Sequence, residues 1–227
     1  MKSDKHLLSN RSNYTRTNGW KATFSSKLRI TLILAFALAA TAISAHFLTR
    51  QPVSAAATAN VIFALTNNNQ LLRFAAGTPG TLIGAPLAVT GLQGGETLVG
   101  IDFRPATGGL YGLGVNGSVG RLYLIDPVTG AALQAGAAGT FALPQSAGVA
   151  AGTDYGFDFN PTVDRVRVFA NSRDNFRLNP DTGGVTGADT ALTAGAQVVG
   201  AAYDRNFAGA TQTTLYGIDF NTDQLVT

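Results

Sequence analysis

From residue 60 onward, apolar residues come in runs of four to seven, each closed by Gly, Asn, Asp or Pro. Val61-Ile62-Phe63-Ala64-Leu65, Leu110-Tyr111-Gly112-Leu113 and Leu122-Tyr123-Leu124-Ile125 are examples. Short runs of aromatic and β-branched residues between turn formers predict strands. No segment beyond residue 60 sustains a 3.6-residue apolar period between caps, so no helix is predicted there. Residues 131–138 and 147–151 are alanine-rich, but Gly136, Gly139, Gly148 and Gly152 break or bound them. Each glycine weakens a helix, and both segments are read as strand and loop.

The runs recur in a fixed order. Gly100-Ile101-Asp102-Phe103-Arg104-Pro105 returns as Gly156-Phe157-Asp158-Phe159-Asn160-Pro161, with a degenerate third copy at Gly200-Ala201-Ala202-Tyr203-Asp204-Arg205. Leu110-Tyr111-Gly112-Leu113 is matched by Arg167-Val168-Phe169-Ala170, by Leu215-Tyr216-Gly217-Ile218 and by the early copy at Val61–Leu65. Leu122-Tyr123-Leu124-Ile125-Asp126-Pro127-Val128-Thr129-Gly130 is matched by Asn175-Phe176-Arg177-Leu178-Asn179-Pro180-Asp181-Thr182-Gly183. A unit of about 50 residues repeated in this way marks a repeat architecture.

The strands are apolar on both faces, as in Leu122-Tyr123-Leu124-Ile125. Both faces of each sheet must therefore be covered. Small sheets stacked face to face around an axis satisfy this, so the fold class expected is all-β, a β-propeller-like repeat of four-stranded units. A β-sandwich is the competing architecture. Residues 60–227 hold about three and a half units, so the repeat domain is expected to be truncated at its C-terminus, since a ring needs at least four blades.

Charge is divided unevenly along the chain. All four Lys and both His precede residue 60, whereas residues 60–227 carry eight Arg against eleven Asp and one Glu, a formal charge of −4. The overall pI of about 9.4 thus belongs to the N-terminal segment, and nucleic-acid binding is not expected. Within residues 1–59 a basic stretch to Arg29 precedes the uncharged apolar run 30–45, and small residues follow at 54–59. That order predicts an N-terminal apolar targeting helix, either a cleaved signal peptide or a signal anchor. Both place the repeat domain outside the cytoplasm, with the membrane touched only through the N-terminal segment.

Several motifs suggest chemistry, and each has a structural alternative. Gly112-Leu113-Gly114-Val115-Asn116-Gly117 fits a dinucleotide fingerprint, but it leads into another strand where the fingerprint needs a helix N-terminus. It is read as part of a hairpin. Asp219, Asn221 and Asp223 place oxygen ligands at alternate positions, as calcium loops do. Asn and Asp also favour tight turns, and the corresponding hairpins are rich in them. Calcium is therefore the one cofactor considered, with turn formation the stronger reading. Asp102 and Asp158 interrupt apolar strands and need partners. They are candidates for a catalytic carboxylate pair, or for ties that hold each unit together through backbone N–H groups. Recurrence at one repeat position favours the structural role. Asp126-Pro127-Val128-Thr129-Gly130 and Asn179-Pro180-Asp181-Thr182-Gly183 are read as β-turns. Arg165 and Arg167 share a strand face and are expected to pair with Asp158 or Asp164 as exposed ion pairs.

The chain has no Cys, and no His or Lys follows residue 59. A Ser-His-Asp triad, a Schiff base and thiolate or imidazole zinc sites are thereby excluded from the repeat domain. Any enzyme there must work with Asp, Glu96, Tyr, Arg or Ser.

The Gly-[Ile/Phe]-Asp-Phe-[Arg/Asn]-Pro repeats, the Leu-Tyr-Gly strands and the Asp-Pro-x-Thr-Gly turns resemble a bacterial family of exported domains, domain-of-unknown-function family 4394. The resemblance covers about residues 60–227. It implies an extracytoplasmic propeller-like domain that usually continues beyond the length seen here, and it supplies no catalytic residues. The expected function is a non-catalytic binding or scaffold domain with an envelope or extracellular ligand. The alternative is a carboxylate-dependent carbohydrate-active enzyme using Asp102 and Asp158.

Overall fold

The computed structural model describes residues 60–144 and 154–227. The expected targeting helix in residues 1–59 and the alanine-rich stretch 147–151 lie outside the described residues. Everything described is strand, turn or loop, and none of it forms a helix long and apolar enough to cross a membrane.

Four antiparallel sheets follow one another along the chain, each built in sequence order. The first comprises β1 (Val61–Leu65), β2 (Gln70–Ala75) and β3 (Leu87–Ala88). The second comprises β4 (Thr97–Phe103), β5 (Leu110–Asn116), β6 (Val119–Ile125) and β7 (Ala132–Gln134), with β8 (Thr140–Ala142) added against β6. The third comprises β9 (Tyr155–Asn160), β10 (Arg165–Ala170), β11 (Asn175–Leu178) and β12 (Val185–Ala188). The fourth comprises β13 (Val198–Tyr203), β14 (Leu215–Asp219) and β15 (Gln224–Val226). The four-strand unit expected from the repeat is thus met by the third sheet, exceeded by the second, and shortened to three strands in the others among the described residues.

Stacking of these sheets explains why their strands are apolar on both faces. One core cluster joins Leu113 and Leu122 of the second sheet to Phe159, Val166, Phe176 and Leu178 of the third. Another joins Leu110, Tyr123 and Ile125 of the second sheet to Leu71 and Val89 of the first. Alternate residues of β5 and β6 therefore bury against different neighbours, each large side chain contributing about 1.5–3 kcal/mol. The first strands of successive sheets (β4, β9 and β13) lie against one another. This is the propeller-like arrangement.

One cross-sheet contact repeats three times. Phe63 of β1 meets Phe103 of β4 edge to face at 5.2 Å, and Tyr111 of β5 meets Phe159 of β9 at 5.3 Å. At the third copy Arg167 of β10 directs its Nε toward Tyr203 Oη of β13 at 3.4 Å. In each case a strand of one sheet (β1, β5 or β10) touches the aromatic residue of the next sheet's first strand.

The two proline turns hold more than the chain reversal expected of them. Gly130 and Gly183 adopt φ of 75° and 78°, a region open chiefly to glycine. A Cβ on Gly130 would stand 2.2 Å from the Ala88 carbonyl oxygen, and one on Gly183 would stand 2.0 Å from that of Ala135. Both glycines let the turn of one sheet press on the outer strand of the sheet before it. Backbone bonds repeat there as well, Thr90 N–H donating to Gly130 O and Ala138 N–H to Thr182 O, each at 2.9 Å.

Candidate functional site

Asp102 and Asp158 occupy the same register position in β4 and β9, and the Asp102 charge acts on the Asp158 carboxyl. Asp102 Oδ2 accepts from Phe159 N–H at 2.8 Å, and Asp158 Oδ2 accepts from Tyr203 N–H at 2.6 Å. Each carboxylate therefore reaches forward to the first strand of the next sheet, where the sequence suggested a tie within its own unit. Asp102 Oδ1 additionally accepts from the adjacent Phe103 N–H at 2.7 Å. Burial is the main cause pushing both carboxyls upward; the Asp102 charge adds to it at Asp158, which rises to about 8.

Arg104, just after β4, is almost fully buried (8% exposed). Its Nε donates to Asp164 Oδ1 at 2.8 Å, and its terminal nitrogens reach Asp164 Oδ2, Asp181 Oδ1 (2.7 Å) and Tyr111 Oη (3.4 Å). One arginine thus clasps the second sheet to two turns of the third. Asp164 is committed to this clasp, which corrects the expected pairing of Arg165 and Arg167. Arg165 donates to the Asp164 carbonyl at 2.8 Å instead. Arg167 pairs with Asp189, which also takes Arg177 at 2.9 Å. Arg167 and Arg177 are direct cross-strand partners. Placing Asp189 between two like charges relieves their repulsion across the strand pair.

Glu96, the one Glu beyond residue 60, is buried just before β4. Its Oε1 accepts from Arg121 Nε at 3.0 Å and its Oε2 from Tyr123 Oη. Tyr123 Oη in turn accepts from Gln93 N–H at 2.9 Å. Burial and the Glu96 carboxylate push the Tyr123 phenol up to about 12. The Glu96 carboxylate lies over Gly114, where a Cβ would come within 3.0 Å of Oε2. Gly112 and Gly114 of the dinucleotide-like motif are strand residues of β5, and Gly117 closes the hairpin at φ 58°.

Asp219 Oδ1 accepts from Gln197 N–H at 3.2 Å and from Asn221 N–H at 3.0 Å, and Asp223 sits at φ 54°. The Asn221 bond forms the turn, and the Gln197 bond ties that turn to the segment before β13. Among the described residues no three of His, Asp and Glu come together as a metal site requires. Melting curves recorded in calcium and in chelator are expected to coincide. A calcium ion at 100 times its Kd would add about 2.7 kcal/mol, roughly 5–10 °C here, and a shift of that size would return Asp219, Asn221 and Asp223 to the role of ligands.

Two hollows remain. One of about 340 Å³ is lined by Thr97, Leu98, Val99, Tyr155 and Val199, from the starting ends of β4, β9 and β13, together with Asn67 of the β1–β2 turn. Tyr155 Oη and Arg173 Nε are buried without a hydrogen-bond partner among the described residues. The other, about 840 Å³ and more polar, lies between the third and fourth sheets and is lined by Asn160, Arg167, Tyr203, Arg205 and Gln212. Asn160 stands at the repeat position of Arg104, and its side chain bonds its own turn at Thr162 N–H (2.9 Å). Where the second sheet is clasped to the third by a long arginine, this junction is left open.

No curated protein sequence matches the chain. Among solved structures, dihydro-heme d1 dehydrogenase NirN in complex with DHE is similar at 12% identity and a TM-score of 0.29, over 75% of this chain. The chain spans 37% of the length of that structure. The model of the family described as Domain of unknown function (DUF4394) matches residues 70–227, the stretch that carries Asp102, Asp158 and both turn glycines, and the chain belongs to that family.

Proposed function

We propose that residues 60–227 act as a non-catalytic, extracytoplasmic binding or scaffold domain, built as a β-propeller and exported by the N-terminal segment. The observation that carries this reading is the use to which the recurrent polar residues are put. Asp102 and Asp158 each hold a backbone N–H of the following sheet, and Arg104 is saturated by two carboxylates and a phenol. A buried carboxylate bonded in this way is a structural tie. The ligand face we assign is the 340 Å³ hollow at the starting ends of the first strands, since pockets that gather several strand ends offer convergent polar groups on a rigid frame.

The Asp102→Asn/Asp158→Asn double variant separates this reading from a carbohydrate-active enzyme. We expect wild type and variant to be equally inert toward a panel of aryl glycosides and oligosaccharides, while the variant melts several degrees lower. Hydrolysis by the wild type that vanishes in a variant with an unchanged melt would establish the enzyme instead.

A further inference from the structure

We propose that the edge of β1, unpaired among the described residues, is a strand-acceptor site that takes an extended partner segment of the pattern Gly-apolar-Asp-aromatic. Three observations define the slot. The Phe63–Phe103 contact repeats that of Tyr111–Phe159, so β1 holds the position that β5 holds in the second sheet, the second strand from the inside. In β5 the first five residues are all buried, and its backbone is paired with β4 along one edge and β6 along the other. In β1 the pairing among the described residues is with β2 alone, and Val61 and Ile62 stand 47% and 42% exposed. A strand edge with unpaired backbone groups and apolar side chains is a template for another strand.

The neighbouring sheets specify what fits. Asp102 accepts from Phe159 N–H and Asp158 from Tyr203 N–H. The equivalent donor on β4 is Phe103 N–H, which bonds the adjacent Asp102 Oδ1. An incoming strand that carries Asp at the matching position would supply the forward tie that the other first strands supply. Glycine two residues before that Asp is required as well. A Cβ on Gly100 would meet Phe157 Cβ at 2.5 Å, and one on Gly156 would meet Ala201 N at 2.8 Å. By the same register the incoming residue faces Ile101. The slot follows from packing between sheets, whatever the domain binds elsewhere.

The test uses the full 227-residue chain and a synthetic peptide with the sequence of residues 99–105, VGIDFRP. Binding is followed by titration, the melt, and amide exchange across β1. The expected result is a 1:1 complex that melts several degrees higher and slows exchange of β1 amides at least tenfold. Peptides with Asp replaced by Ala, or Gly by Val, should bind at least tenfold more weakly. Equal binding of all three peptides, or protection confined to β15, would overturn the proposal. So would β1 amides already protected in the free monomer, or protection that rises with protein concentration alone, which would make a second copy the occupant.

Discussion

Stability of the domain should fall as the pH is raised from 5 to 8, and Asp158→Asn should remove most of that slope. The Asp158 carboxyl holds its proton to about pH 8 in the folded protein, against 3.8 when unperturbed. Between those limits the folded state binds more protons than the unfolded state, so the free energy of unfolding decreases as pH rises. One proton sets a ceiling of about 1.4 kcal/mol per pH unit, or up to ~4 kcal/mol over three units. For a domain of this size that corresponds to roughly 8–16 °C in Tm. Asn at position 158 keeps an oxygen for Tyr203 N–H and, like the protonated acid, puts no charge beside Asp102. The variant should therefore match or exceed wild type at pH 8 and gain little at pH 5. Asp102→Asn should behave differently. Both oxygens of Asp102 accept backbone N–H groups, and an amide can serve only one, leaving a donor unsatisfied at about 1–3 kcal/mol. Melts of the two single variants across pH 5–8 check the asymmetry; equal slopes in wild type and Asp158→Asn would locate the proton elsewhere.

The same residues show what could be read in the chain and what could not. Strand positions were legible because turn residues bound each apolar run, and the repeat was legible because Gly, Asp and aromatic residues return in order. The need of Asp102 and Asp158 for hydrogen-bond partners was also legible, since each carboxylate interrupts an apolar strand. What the residues bond to was not. The partner of Asp102 is a backbone N–H 57 residues away, and a main-chain donor has no signature in sequence. Gly130 and Gly183 looked complete as turn formers, so nothing announced the carbonyl each presses against in the preceding sheet. The Arg104 clasp draws on Asp164 and Asp181, 60 and 77 residues away. Its only trace was the change from Arg104 to Asn160 between copies of the motif, which coincides with the open polar junction between the third and fourth sheets.

Glu96→Ala should be among the most destabilising single changes in the domain, at about 3–5 kcal/mol. The side chains of Glu96 and Arg121 are 5% and 14% exposed, so neither charge can turn to water when the other is removed. Truncation would leave the Arg121 guanidinium with Gln134 alone as a side-chain partner and would open space above Gly114. Asp181 offers the contrast within the same molecule: its side chain is 65% exposed, water takes the place of Arg104, and Asp181→Asn should be nearly silent. Charge and hydrogen bonding at Glu96 can be separated by Glu96→Gln, which keeps an acceptor for either Tyr123 or Arg121 but leaves the arginine uncompensated. It should fall between wild type and Ala. Removing both charges together, as in Glu96→Gln/Arg121→Met, should recover part of the loss, because the cost lies in an unpaired buried charge more than in the absent bond. Chemical denaturation of wild type, Glu96→Gln, Arg121→Met and the double variant closes the double-mutant cycle. A coupling energy near zero would mean that solvent reaches the pair and that Glu96 is held by its backbone, through the Asn69 side-chain amide at 3.2 Å, and not by its charge.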